Sequence, residues 1–108
     1  MGARSIVKAG FCASHKDAIS GNLHGHSWEV CAWFAPKVRR DLRVLQQTLA
    51  TYVSALDHTI LDNVFEGSDV EVCDEGIAAW LGDRLANLDC VRVRLWRPVE
   101  GIGGEWCA

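Results

Sequence analysis

At 108 residues, 49% of them hydrophobic, the chain holds enough apolar material for one domain with its own core, spanning residues 1–108. A formal net charge of −3 argues against a general nucleic-acid surface, and without a run of roughly 18 apolar residues or a signal-type N-terminal stretch the chain is expected neither to span a membrane nor to be secreted. The five cysteines, Cys12, Cys31, Cys73, Cys90 and Cys107, are odd in number and contain no Cys-x-x-Cys, which reads as reduced thiols in a cytoplasmic protein.

Residues 6–13, from Ile6 to Ala13, form a first predicted strand that ends toward His15. A loop over residues 16–23 leads to His24-Gly25-His26, which runs into the aromatic and β-branched stretch 27–34, a second strand pairing with the first. Val38, Leu42, Leu45, Leu49, Tyr52, Val53 and Leu56 recur at three- and four-residue steps, so the periodicity predicts an amphipathic helix over 38–56, approached through Pro36. The basic residues Lys37, Arg39, Arg40 and Arg43 at its start read as a solvated face, with anion binding the alternative. Residues 57–72 read as an ordered loop. A second helix fits 74–88, with Asp74 and Glu75 in the first turn, where the helix dipole favours acidic groups. Beyond Asn87, Val91, Val93 and Leu95 alternate with Arg92 and Arg94 in a half-buried third strand, and Gly101, Gly103 and Gly104 turn the chain toward a last strand at 105–107. The expected order is ββααββ, an α+β domain without internal repeats.

Only four histidines are present, and three of them, His15, His24 and His26, have the spacing of a metal site. Residues two apart on a strand share a face, so His24 and His26 can converge on one point, with His15 arriving from the paired strand. Three protein imidazoles and a vacant position make a catalytic zinc centre, whereas a structural zinc is closed by four ligands. The competing explanation is a set of exposed histidines flanking a turn. Cys31, by strand parity, faces away from His24 and His26 and is expected to be structural.

The fourth histidine completes a wider pattern. Phe11-Cys12-Ala13-Ser14-His15, then Leu23-His24-Gly25-His26-Ser27, then Leu56-Asp57-His58-Thr59-Ile60-Leu61-Asp62 resembles the 6-pyruvoyl-tetrahydropterin synthase family, which includes the 6-carboxytetrahydropterin synthases of queuosine biosynthesis. The resemblance covers nearly the whole chain. It implies a tunnel fold: a four-stranded antiparallel sheet with two helices on one face, the strands closing into a barrel when subunits assemble as trimers stacked into hexamers. It further implies a zinc-dependent lyase acting on 7,8-dihydroneopterin triphosphate, with Zn2+ on His15, His24 and His26 and an Asp57–His58 dyad moving protons. An aspartate that orients an imidazole is physically sensible in its own right, although a histidine at a helix C-terminus is also favoured by the dipole.

Three positions depart from that pattern. The family's catalytic cysteine, four residues before His-Gly-His, is Ser20 here, and a hydroxyl is far harder to deprotonate than a thiol of pKa ~8.5. The Pro-Thr-x-Glu segment reads Val72-Cys73-Asp74-Glu75, so Glu75 is kept while Cys73 stands for a threonine that helps hold the pterin; Cys73 is either a displaced thiol or a packing residue. The glutamate that anchors the pterin ring becomes Arg97, or Leu95 in a shifted register, and an arginine offers donors to a carboxylate or phosphate, not an acceptor to a guanidine-like edge. Glu100 or Glu105 could compensate. Three readings follow: a lyase on the family's substrate, a divergent zinc enzyme with a more anionic small-molecule substrate, and a non-catalytic zinc-binding homologue.

Overall fold

The computed structural model describes residues 2–108. Two long strands, β1 (Ser5–Lys16) and β2 (Leu23–Phe34), pair antiparallel along their whole length, with His15 opposite His24 and Ala13 opposite His26. Helix α1 (Leu42–Ser54), a one-turn helix α2 (Leu61–Val64) and helix α3 (Asp74–Arg84) follow, then a 3-10 turn (Ala86–Leu88) and the strands β3 (Cys90–Arg97) and β4 (Ile102–Cys107). The sheet runs β1-β2-β3-β4, every pair antiparallel. The α+β class and the four-stranded antiparallel sheet are as expected from the sequence.

One face of the sheet is dry. Val7, Phe11 and Ala13 on β1, Trp28, Val30, Ala32 and Phe34 on β2, and Val93 and Leu95 on β3 are all buried, each set at alternate positions of its strand. Against this face lie Leu45, Leu49 and Val53, spaced four apart on α1, with Leu56 beyond its end, and Ile77, Leu81 and Leu85 from the α3 segment. His15, His24, His26 and Arg97 share the parity of the dry face and continue it at one end, where the apolar filling stops. The opposite face carries Arg92 over the Trp33 ring at 4.1 Å and Arg94 over the Trp96 ring at 4.2 Å, with Cys31 between Lys8 and Arg94.

Several boundaries differ from the periodicity, among them the last strand, which takes in Ile102, Gly103 and Gly104 ahead of the expected 105–107 because they pair with Arg97, Trp96 and Leu95. The first helix begins at Leu42 instead of Val38, because Asp41 is the N-cap and its carboxylate accepts from the Arg43 N–H at 2.8 Å; Val38 is 72% exposed. Within the stretch read as a loop, residues 61–64 coil into α2 and bury Leu61. The helix expected to reach Leu88 stops at Arg84 and tightens into a 3-10 turn, which the left-handed Asp89 (φ 63°) ends so that β3 can start. The third strand carries a bulge: Trp33 faces Arg92 but Phe34 faces Cys90, which leaves Val91 over.

Candidate active site

His15 and His26 meet at the open end of the β1–β2 pair, ring centroids 5.0 Å apart. Both lie edge-on to Trp28, whose own ring stacks on Phe11 at 4.9 Å. The His26 Nδ1 lies 2.8 Å from Glu100 Oε1, in the turn between β3 and β4, a contact that orients the ring and leaves its Nε2 for another partner. Glu100 is held below the usual carboxylate range mainly by that hydrogen bond. His15 Nε2 is buried and, among the described residues, has no hydrogen-bond partner. A buried nitrogen left unpaired costs free energy, so this nitrogen beside a second oriented imidazole suits a further ligand. Burial, then the nearby Arg97 charge, holds the His15 pKa below the ordinary 6.5, which keeps the ring neutral and able to donate a lone pair. His24 sits across the strand pair from His15 but is exposed, and among the described residues no three His, Cys, Asp or Glu side chains are gathered into a metal cage.

Asp57 and His58 follow α1 and attach to the free edge of β1. The His58 N–H donates to the Cys12 carbonyl at 2.6 Å, the Ser14 N–H donates to the Thr59 carbonyl at 2.9 Å, and Ser14 and Ile60 form a parallel bridge. Asp57 uses both carboxylate oxygens: Oδ1 accepts from the Cys12 N–H at 2.9 Å and Oδ2 lies 2.9 Å from His58 Nδ1. Those contacts, the Cys12 N–H first, hold Asp57 below the ordinary aspartate value of 3.8. His58 adopts a left-handed backbone (φ 57°), uncommon outside glycine, and its ring projects into solvent. Asp62 fastens the same segment to β1 by accepting from the Lys16 N–H at 2.8 Å. An open cleft of about 650 Å³ runs between the dyad and the histidine end of the sheet, lined by Cys12, Ser27, His26, His58 and Glu100 among others.

The family model described as 6-pyruvoyl tetrahydropterin synthase matches residues 5–102, nearly the whole fold. This chain belongs to that family. Among solved structures, the 6-pyruvoyl tetrahydropterin synthase of Caenorhabditis elegans superposes with a TM-score of 0.74 over 98% of this chain and 95% of its own, at 14% identity, a likeness of fold. No curated protein sequence matches the chain at a significant level.

Within the family frame, the residues that depart from the pattern have definite places. Ser20 lies in the exposed turn between β1 and β2, where its N–H donates to Asp17 Oδ1 at 2.9 Å and its Oγ accepts from the Asn22 N–H at 3.2 Å; it does not line the cleft. Cys73 is the N-cap of α3, its Sγ accepting from the Gly76 N–H at 3.2 Å, which is the work a threonine does at that position. Glu75, one residue into that helix beyond Asp74, is exposed.

Arg97 closes β3 on the site face, and Leu95, fully buried, belongs to the core. The guanidinium is not free for an anion. It donates to Asp74 through Nε (3.0 Å to Oδ2) and a terminal nitrogen (2.9 Å to Oδ1), both side chains at most 14% exposed, and it lies over Trp28 at 5.4 Å. Trp28 Nε1 adds a third donor to Asp74 Oδ1 at 3.2 Å. Neither compensating glutamate stands free: Glu100 holds His26, and Glu105 accepts from Arg92 Nε at 2.7 Å.

Sequence reasoning reads Asp74 only as a dipole-friendly residue, and nothing at its position signals burial. Strand parity sets Cys12 off the face of His15, on the same sheet face as Cys31.

Proposed function

We propose that the protein is a zinc-dependent lyase of the pterin-synthase type, acting on 7,8-dihydroneopterin triphosphate or a close relative. The observation that carries this is the orphaned His15 Nε2 beside a His26 ring already oriented by Glu100. The donor set fits zinc: His15 and His26 face each other, and His24 lies opposite His15 on the same sheet face. Bound there, zinc would act as a Lewis acid toward the hydroxyls of the substrate side chain.

The rest is the work of the chain itself. Glu100 fixes the His26 tautomer, Asp57 fixes that of His58, and His58 takes or returns a proton at its outer nitrogen. Glu75 and Cys73, at the start of α3, remain the candidates for contact with the ring of the substrate. Assembly into a trimer or hexamer fits the same reading, since β4 and the part of β1 before Cys12 are sheet edges that subunit pairing would close into a barrel.

The Arg97–Asp74 pair favours a second reading, a zinc enzyme whose substrate lacks a pterin edge, because the end of β3 offers no free acceptor for buried ring N–H groups. One experiment separates the two: incubate zinc-loaded protein with dihydroneopterin triphosphate, follow pterin products by mass spectrometry, and run His26→Ala beside it. Product that vanishes in the variant supports the lyase; no product from protein holding one zinc per subunit moves the assignment to a different substrate.

A further inference from the structure

We propose that the cleft between the start of β1 and the loop leading into α1 is a binding site for a polyphosphate group, held by Arg39 and Arg40. The assignment stands apart from the lyase reading, because the site lies at the other end of the sheet. Ser5 pairs with Phe34 where β1 begins, and His15 pairs with His24 ten residues further along the same strand, roughly 33 Å away.

The loop carries four cations, Lys37, Arg39, Arg40 and Arg43, close together in a chain whose net charge is −3. A solvated face is the ordinary fate of such a run, and the structure departs from it at Arg40. The Arg40 Nε is shut off from solvent and, among the described residues, has no hydrogen-bond partner. A terminal nitrogen lies 3.9 Å from Asp89 Oδ2, too long for a hydrogen bond, and that oxygen already accepts from the Lys37 N–H at 3.3 Å. A guanidinium attracted by one distant charge leaves the donors of its fork unused, a state that a bidentate oxyanion satisfies.

An anion can reach it. The Arg40 side chain is 34% exposed and lines an open cleft of about 680 Å³. Arg39, exposed and in no ion pair among the described residues, lines the same cleft, and Ser5 brings a hydroxyl residue to its wall. Little there competes with a ligand. Asp41, the carboxylate of the cleft, is engaged by the Arg43 N–H as the cap of α1, and the first turn of that helix holds no acidic residue. The planar guanidinium matches phosphate oxygens two at a time, and two neighbouring arginines call for a ligand with more than one charged group. A single carboxylate or phosphate would leave one of them unmatched.

Titration calorimetry with inorganic triphosphate, in about 0.15 M salt to screen loose surface attraction, tests the assignment. Wild type is expected to bind, Arg39→Gln to lose about tenfold in affinity, the worth of one charge-assisted contact, and Arg40→Gln at least as much. Arg40→Lys keeps the charge without the fork and is expected to bind as weakly as Arg40→Gln. Arg84→Gln, which removes an exposed arginine at the end of α3, should bind like wild type, and His26→Ala should keep the arginine-dependent binding. Circular dichroism and the thermal midpoint of each variant show whether it is folded; Arg39 is exposed, so its variant carries the test if Arg40→Gln unfolds. Three results overturn the proposal: no binding by wild type, binding by Arg40→Lys equal to wild type, which marks a diffuse cationic surface, or binding that survives both arginine variants and disappears in His26→Ala, which puts the triphosphate in the histidine cleft.

Discussion

Replacing Arg97 by methionine tests the account of the site directly, because it isolates the buried ion pair at the end of β3. The wild-type Asp74 carboxylate is 7% exposed and receives three donors to its charge, two from Arg97 and one from Trp28. Arg97→Met leaves the carboxylate buried with only the Trp28 N–H at 3.2 Å. Breaking a buried pair from one side costs about 3–5 kcal/mol, because the surviving charge keeps its desolvation penalty without its partner. For a domain near 100 residues that is a fall in Tm of about 12–24 °C at the lower figure. The double variant Arg97→Met/Asp74→Leu removes both charges and is expected to recover most of the loss.

Urea unfolding of the four proteins, at one subunit concentration because assembly shifts apparent stability, gives the coupling energy. A single variant that loses under ~1 kcal/mol, or a double variant no better than the single, would refute the reasoning.

Four further outcomes are expected. Asp57→Asn keeps an acceptor for the Cys12 N–H but misorients the His58 proton, so kcat should fall by about 10²–10⁴ with the fold intact, as measured by steady-state turnover and circular dichroism. Asp57 has a depressed folded pKa, so its contribution to stability is present above 3.8 and lost as pH falls through the lower folded value; acid unfolding of Asp57→Asn should lack that component. Chelation should lower the thermal midpoint of wild type but hardly that of His15→Ala, since the orphaned Nε2 is gone; equal shifts by calorimetry would count against a metal at this nitrogen. Gly104→Ala would put a Cβ 2.7 Å from the Asp74 carbonyl carbon, and should cost about 1–3 kcal/mol in denaturant unfolding by prising α3 from β4.

The strands, the long helices and the histidine end of the sheet were legible because they rest on periodicity, a signal local to each segment. His24-Gly25-His26 lies on one strand and its face follows from parity alone, whereas its relation to Glu100 depends on where a turn 74 residues away comes to lie. Asp74 was misleading for the same reason: an aspartate in a first helical turn looks solvated until Arg97 and Trp28, from two strands, are seen to close over it. Ser20, expected from the spacing before His24 to stand at the site, instead has its backbone engaged by Asp17 within a local turn. The early start expected for the first helix failed because periodicity cannot see a cap; the carboxylate of Asp41 decides it.

The pairing of Arg97 with Asp74 also constrains which substitutions the chain can accept one at a time. A glutamate at position 97 would face a buried carboxylate across the space the guanidinium now fills, two like charges where neither reaches bulk water. Position 74 must change first or together with it. Changing Asp74 alone strands a buried guanidinium, so each single step passes through a weakened protein. The two residues act as one heritable unit, and restoring an acidic anchor to this site is a two-mutation problem.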